Sequence, residues 1–243
     1  MMALMLCLCA ITLWAQPKVV AHRGYWKAQD CAQNSIAALR AADAIGCYGS
    51  ELDVWLTADG VPVVFHDQSV NGIRIEDTTY AKLMHIQLAN GEFIPTLQQY
   101  LMEAARLKPQ IILEIKGHRD DESDIRVTQE VVKLVTMLGL EKKTEYISFS
   151  LCACQTLHAL QPKAKVAYLT GDISPKVIKK MGLTGIDYQF DVFKKHPEWL
   201  TEAQKCGIEV NVWTVDGEEA LQYHANLKGI DLITTNDPNL LLK

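Results

Sequence analysis

The sequence predicts an α/β fold, a TIM (β/α)8 barrel closed within a single domain. Short β-branched runs alternate with longer segments of helical period, the signature of βα units and a parallel sheet. Eight such runs can be counted along the chain, the number a barrel needs. In addition, none of the 243 residues, 49% of them apolar, forms a Pro/Gly/Ser-rich linker, low-complexity tract, charge block or internal repeat that would divide the chain.

The elements follow in order. Residues 1–16 (MMALMLCLCAITLWAQ) carry no charged side chain and fall short of the roughly 20 residues that a bilayer span requires. They are expected to be a secretory signal peptide cut near Ala15, leaving residues 17–243 as a secreted or periplasmic domain; a buried first helix is the alternative. Neither Cys7 nor Cys9 follows the small residues of a lipid-attachment site, so no stable membrane anchor is expected. The expected strands are 18–22, 50–55, 110–116, 145–150, 165–169, 185–189, 208–214 and 230–235. Between them lie helical segments, among them NSIAALRAADAIG, TLQQYLMEAARL and SDIRVTQEVVKLVTMLG, several opened by Asn, Ser, Thr or Asp and closed by Gly, with a short DPNLLLK at the end. A doubly wound open sheet has the same alternation, but neither G-x-G-x-x-G nor G-x-x-x-x-G-K-[ST] occurs.

One run breaks the pattern. VPVVFH (61–66) stands only four residues beyond the second strand, too close for a parallel crossover, so a β-hairpin insertion is expected there. With its turn centred on Ala58 and Asp59, His66 would lie opposite Glu51.

The net charge of −5 is spread without a basic stripe, which excludes a nucleic-acid partner held through its phosphates and leaves a small molecule as the expected ligand. Cys31, Cys47, Cys152, Cys154 and Cys206 are odd in number and lack paired C-x2-C spacing, so they are expected to be free thiols.

Reactive residues of a TIM barrel gather at the carboxyl ends of its strands. Those ends here carry His22 and Arg23, Glu51 and Asp53, and Glu114 and Lys116. Residues two apart on a strand share a face, so Glu51 joins Asp53 and Glu114 joins Lys116. Three carboxylates meeting in a small volume repel one another unless a cation neutralises them. A hard divalent ion with oxygen ligands, Mg²⁺ or Ca²⁺, is the expected cofactor. His22 and His66 come from different strands at the same end, as a general acid and a general base would, while Arg23 and Lys116 are placed to hold a phosphate. The other histidines, including His118, are read as structural or surface groups.

AHRG (21–24), ELDVWLTADGVPVVFHD (51–67), IPTL (94–97), LEIK (113–116), VNVWTVD (210–216) and ITTNDP (233–238) resemble, in order and spacing, the glycerophosphodiester phosphodiesterase family over residues 18–240. The resemblance implies a metal-dependent hydrolase that converts a glycerophosphodiester to glycerol 3-phosphate and an alcohol. It implies His22 and His66 as the catalytic pair, Glu51, Asp53 and Glu114 as metal ligands, Arg23 and Lys116 as phosphate contacts, and Trp213 as an apolar wall beside the glycerol. The short stretch 68–93, in the family's inserted loop region, implies an open site for small soluble diesters. The chain departs from the family in reading AQNS where a P-E-N/H-T pattern is usual, so that Gln33 replaces an acid. Three alternatives stand beside this reading: a barrel that binds phospho-headgroups with little turnover, a phospholipase-type phosphodiester lyase, and a Schiff-base aldolase using Lys116.

Overall fold

The computed structural model describes residues 16–242. The expected signal peptide therefore lies, apart from Gln16, outside the described residues. Eleven strands are present among them: β1 (Lys18–Ala21), β2 (Gly49–Leu56), β3 (Pro62–Val64), β4 (Ser69–Val70), β5 (Ile73–Arg74), β6 (Gln110–Ile115), β7 (Thr144–Ser148), β8 (Lys165–Tyr168), β9 (Gly185–Gln189), β10 (Glu209–Trp213) and β11 (Leu232–Thr235). Parallel pairing runs β1, β2, β6, β7, β8, β9, β10, β11 and back to β1, which closes an eight-stranded barrel. The helices around it are α1 (Ile36–Ala44), α2 (Tyr80–Leu83), α3 (Leu97–Ala104), α4 (Asp121–Met137), α5 (Leu151–Leu160), α6 (Pro175–Lys180), α7 (Asp191–Lys195), α8 (Glu198–Cys206) and α9 (Glu218–Ala225).

The expected capping chemistry starts several of these helices. Ser35, Thr96, Asp120 and Ser150 each accept a backbone N–H of the first turn, and Thr96 with Gln99 forms a capping box. Gly207, at φ 63, ends α8 in the left-handed conformation. Several elements differ from expectation, and the stretch 68–93, expected as a loop region, holds β4, β5 and α2. The short helix α7 lies in a stretch with no cap residue and too few turns to show a period, and the closing DPNLLLK forms a 3-10 turn at Pro238–Leu240.

Strand parity separates two layers of the core. Every residue of β2 is buried, as a strand covered on both faces requires. Its Leu52, Val54 and Leu56 join the large layer between barrel and helices, as do Ile111, Leu113 and Ile115 of β6. The opposite face of β6 sends Ile112 into the barrel lumen with Val20, Ile147, Leu169 and Leu232. By that same parity Glu51, Asp53 and Glu114 look inward. The lower mouth is closed by Lys165, whose Nζ lies 3.1 Å from Glu145 Oε1 and 2.9 Å from Glu209 Oε2.

The insertion after β2 is present, but its register differs from expectation. Val54 pairs with Val64 and Leu56 with Pro62, one residue away from the expected pairing, so His66 does not lie opposite Glu51. The turn is a three-residue loop centred on Asp59 in place of a two-residue one. Thr57 N–H donates to Val61 O, Gly60 N–H donates to Thr57 O, and Gly60 takes φ 80. Beside the barrel, Trp55, Val63, Val70, Ile75, Leu83 and Ile94 make a small separate core that anchors the insertion.

Cys31, Cys47, Cys152, Cys154 and Cys206 are free thiols, as expected. No helix among the described residues is long and apolar enough to cross a membrane.

Candidate active site

The site is built at the carboxyl ends of β1, β2 and β6. After β1 the chain turns through two left-handed residues, Arg23 at φ 55 and Gly24 at φ 74. A side chain at Gly24 would meet Ala38 Cβ at 2.7 Å, so this turn can press against α1 only with glycine. The turn aims the backbone: Arg23 N–H donates to Glu51 Oε2 at 2.7 Å and Gly24 N–H to Glu51 O at 3.1 Å. Asn34, also left-handed at φ 62, clamps the neighbouring carboxylate, with Nδ2 donating to Asp53 Oδ2 at 2.8 Å and Oδ1 accepting Asp53 N–H at 3.1 Å.

Glu51, Asp53 and Glu114 each bring a carboxylate oxygen within 4.8 Å of the others, and all three are buried. Glu51 Oε1 is buried with no hydrogen-bond partner. Burial, reinforced by Asp53 and Glu114, pushes Glu51 well above the usual carboxylate range. Burial and Asp53 lift Glu114 to about 7 against the opposing Lys116. Burial also pushes Asp53 up, but Lys116, His66, Asn34 and Arg23 together outweigh it and hold Asp53 below the usual range. Clustered hard oxygen donors, one of them orphaned and two resisting ionisation, fit a divalent cation.

Two cations border this cluster. Lys116 Nζ lies 2.7 Å from Glu114 Oε1 and 3.2 Å from Asp53 Oδ1. Burial alone would lower its ammonium, but Asp53 and Glu114 raise it above the ordinary lysine value, which removes the free amine a Schiff-base aldolase needs. Arg23 Nε sits 3.7 Å from Asp53 Oδ2, and its Nη1 donates to Gln33 Oε1 at 2.7 Å. The neutral amide at Gln33 thus orients the guanidinium without cancelling its charge.

The histidines are held by different partners. Asn236 Nδ2 donates to Asp216 Oδ2 at 2.7 Å, which fixes the amide orientation. Its Oδ1 then accepts from Trp26 Nε1 at 2.8 Å and from His22 Nδ1 at 3.0 Å. The His22 proton is therefore on Nδ1, and Nε2 is the proton-accepting nitrogen. Burial, with Arg23 adding to it, lowers His22 to about 4 and keeps it neutral at pH 7. His66 Nδ1 lies 2.6 Å from Asp67 Oδ1. His118, read from sequence as structural, accepts Leu56 N–H at Nε2 and bonds Lys116 O through Nδ1.

A cavity of about 190 Å³ brings together His22, Arg23, Glu51, His66, Glu114, Lys116 and Trp213, and Asp53, outside its lining, keeps a carboxylate oxygen within 4.8 Å of those of Glu51 and Glu114. All eight sequence-derived candidates thus converge. Trp213 donates Nε1–H to Asp187 O at 2.8 Å and meets Phe149 edge-on at 5.5 Å, forming an apolar wall with Ile147 and Leu169. Sequence reasoning missed Asn34, Asn236, Asp67 and Asp187. Asn34 and Asn236 stand inside the motif segments AQNS and ITTNDP, but residue type alone did not reveal what each amide holds.

Carboxylates able to hold a hard cation, beside fixed cations and two imidazoles in the mouth of a TIM barrel, define an enzyme class that works on phosphate esters. The chain belongs to the glycerophosphoryl diester phosphodiesterase family, whose model matches residues 22–240. It is an enzyme of that family, a phosphoric diester hydrolase. A glycerophosphodiester phosphodiesterase of Caldanaerobacter subterraneus is 25% identical, the match covering 92% of this chain and 96% of the relative. The crystal structure of a glycerophosphodiester phosphodiesterase from Parabacteroides distasonis superposes with a TM-score of 0.90 at 44% identity, over 92% of this chain and 94% of that one. An Oleispira antarctica phosphodiesterase, solved in complex with the product sn-glycerol-3-phosphate, shares the fold at a TM-score of 0.80 and 22% identity, over 92% and 94%.

Proposed function

We propose that this phosphodiesterase hydrolyses glycerophosphodiesters to sn-glycerol 3-phosphate and an alcohol, using a divalent cation, Mg²⁺ or Ca²⁺, and a histidine pair. The observation that carries the reading is the convergence of His22 and His66 on one cavity with the buried carboxylates and two cations. Glu51, Asp53 and Glu114 would hold the ion, which supplies Lewis-acid neutralisation of the phosphate charge. Arg23 and Lys116 bind the phosphate oxygens, and Trp213 shields the glycerol side from water.

His22, neutral with Nε2 free, takes the proton of the nucleophile, which is water or the glycerol 2-hydroxyl. The nucleophile's oxygen bonds to phosphorus as the bond from phosphorus to the leaving alcohol breaks. His66, oriented by Asp67 and entering the cycle as the imidazolium, gives its proton to the leaving oxygen, and solvent then takes the proton from His22 and resupplies His66. With water the product is glycerol 3-phosphate directly; with the 2-hydroxyl a cyclic phosphate precedes it, and phosphorus NMR of the early product separates the two. Once a signal peptide has been removed the enzyme acts outside the cytoplasm, secreted or periplasmic.

Glycerophosphocholine hydrolysis by purified His22→Ala and His66→Ala tests the assignment. Each is expected to lose about 10²- to 10⁴-fold in kcat while still binding the cation by calorimetry. Undiminished turnover in either variant would refute it.

A further inference from the structure

The phosphate end of the substrate has partners in the reading above, whereas the hydroxyl end has none. The cavity wall facing that end is apolar, made by Ile147, Phe149, Leu169 and Trp213, and is broken by Asp187 and Thr234. Asp187 is 1% exposed, and its Oδ1 is buried without a hydrogen-bond partner. A TIM-barrel lumen is ordinarily filled by branched aliphatic side chains, and an orphaned buried oxygen is costly to keep. Its cross-strand neighbour Asn211 donates Nδ2 to Thr234 Oγ1 at 2.8 Å, so polar groups run across β9, β10 and β11.

Position within the ring identifies what Asp187 can reach. Between β2, which carries Glu51 and Asp53, and β9, which carries Asp187, lie β6, β7 and β8 on one side and β10, β11 and β1 on the other. Asp187 therefore stands across the barrel from the ion-holding strand, lining the mouth cavity on one side and a small lumen cavity toward Lys165 on the other. In the reading above, in which the glycerol lies beside Trp213 of β10, a substrate whose phosphate is held at β2 and β6 would extend its glycerol toward β9, and the hydroxyl farthest from phosphorus would reach farthest. Asp187 also fixes the indole through its carbonyl, so one residue sets both the apolar wall and the polar contact.

Resting on the glycerophosphodiester reading, we propose that Asp187 is a specificity-determining residue that hydrogen-bonds the terminal hydroxyl of the substrate's glycerol. Burial, with Glu114 adding to it against the Asn211 amide, raises the Asp187 carboxyl to about 8, so near neutral pH it can donate as well as accept.

The test compares glycerophosphocholine with the analogue that lacks only its terminal (sn-1) hydroxyl, propane-1,2-diol 1-phosphocholine, which keeps the secondary hydroxyl. Wild-type enzyme is expected to prefer glycerophosphocholine by at least about tenfold in kcat/KM. In Asp187→Leu and Asp187→Ala that preference should collapse to within about twofold, through loss on glycerophosphocholine alone. A wild-type enzyme that cleaves both equally overturns the proposal even if neither variant folds, as do variants that lose equally on both substrates; an internal water as the partner of Asp187 would give the former result. A wild-type enzyme that cleaves neither diester instead sinks the glycerophosphodiester reading itself.

Discussion

At the scale of single residues, the site depends on titrations that burial has moved away from those of free side chains. Burial, with Arg23 adding to it, keeps His22 neutral down to about pH 4, and its tautomer is set through Asn236 by Asp216. Asn236→Ala should release the ring and lower kcat by at least about tenfold with little change in KM, read from steady-state kinetics. The acid cluster makes a prediction about pH. Glu114, at about 7 when folded against a usual 4.5, keeps a proton that the unfolded chain releases. Without a cation, the contribution of Glu114 to stability is therefore present in full below about 4.5 and lost as pH rises through about 7. A divalent ion displaces that proton, so the rise in Tm that it produces should grow between pH 5 and pH 8. Melting curves in EDTA and in Mg²⁺ or Ca²⁺ check this, and an ion effect that shrinks with pH would contradict it.

At the scale of elements, what sequence could reveal was whatever follows from period and parity. Alternation along β2 and β6 put Glu51 with Asp53 and Glu114 with Lys116 on one face, and the structure has them there. The hairpin register was legible only to within one residue, because a two-residue and a three-residue turn differ by the conformation of Gly60. The helix α7 has too few residues to display a period. The contacts of Asn236 with His22 and of Asp187 with Trp213 join distant parts of the chain and become visible only once the barrel closes. The turn after β1 carries its own prediction. Gly24→Ala forces a Cβ against Ala38 at positive φ, costing about 1–3 kcal/mol, and displaces the Arg23 N–H that holds Glu51. Chemical denaturation should show the loss, together with weaker cation binding.

At the scale of the whole molecule, the barrel divides its labour between ends. Lys165 with Glu145 and Glu209 closes the lower mouth, while the upper mouth collects the chemistry. Burial shields part of the thiol chemistry as well, pushing Cys47 and Cys154 up to about 12. In the folded domain at pH 8, Cys31, Cys152 and Cys206 should react with a disulfide reagent while Cys47 and Cys154 remain unmodified until denaturant is added, as peptide mass mapping would show. The central claim is that Glu51, Asp53 and Glu114 together hold the ion on which hydrolysis depends. Calorimetric titration of EDTA-treated protein with Mg²⁺ and Ca²⁺, run beside glycerol 3-phosphate release from glycerophosphocholine, tests it most directly. The expected result is one ion per chain, activity that follows occupancy, and loss of both in Glu51→Gln; full hydrolysis in EDTA, or unchanged ion binding by Glu51→Gln, would contradict it.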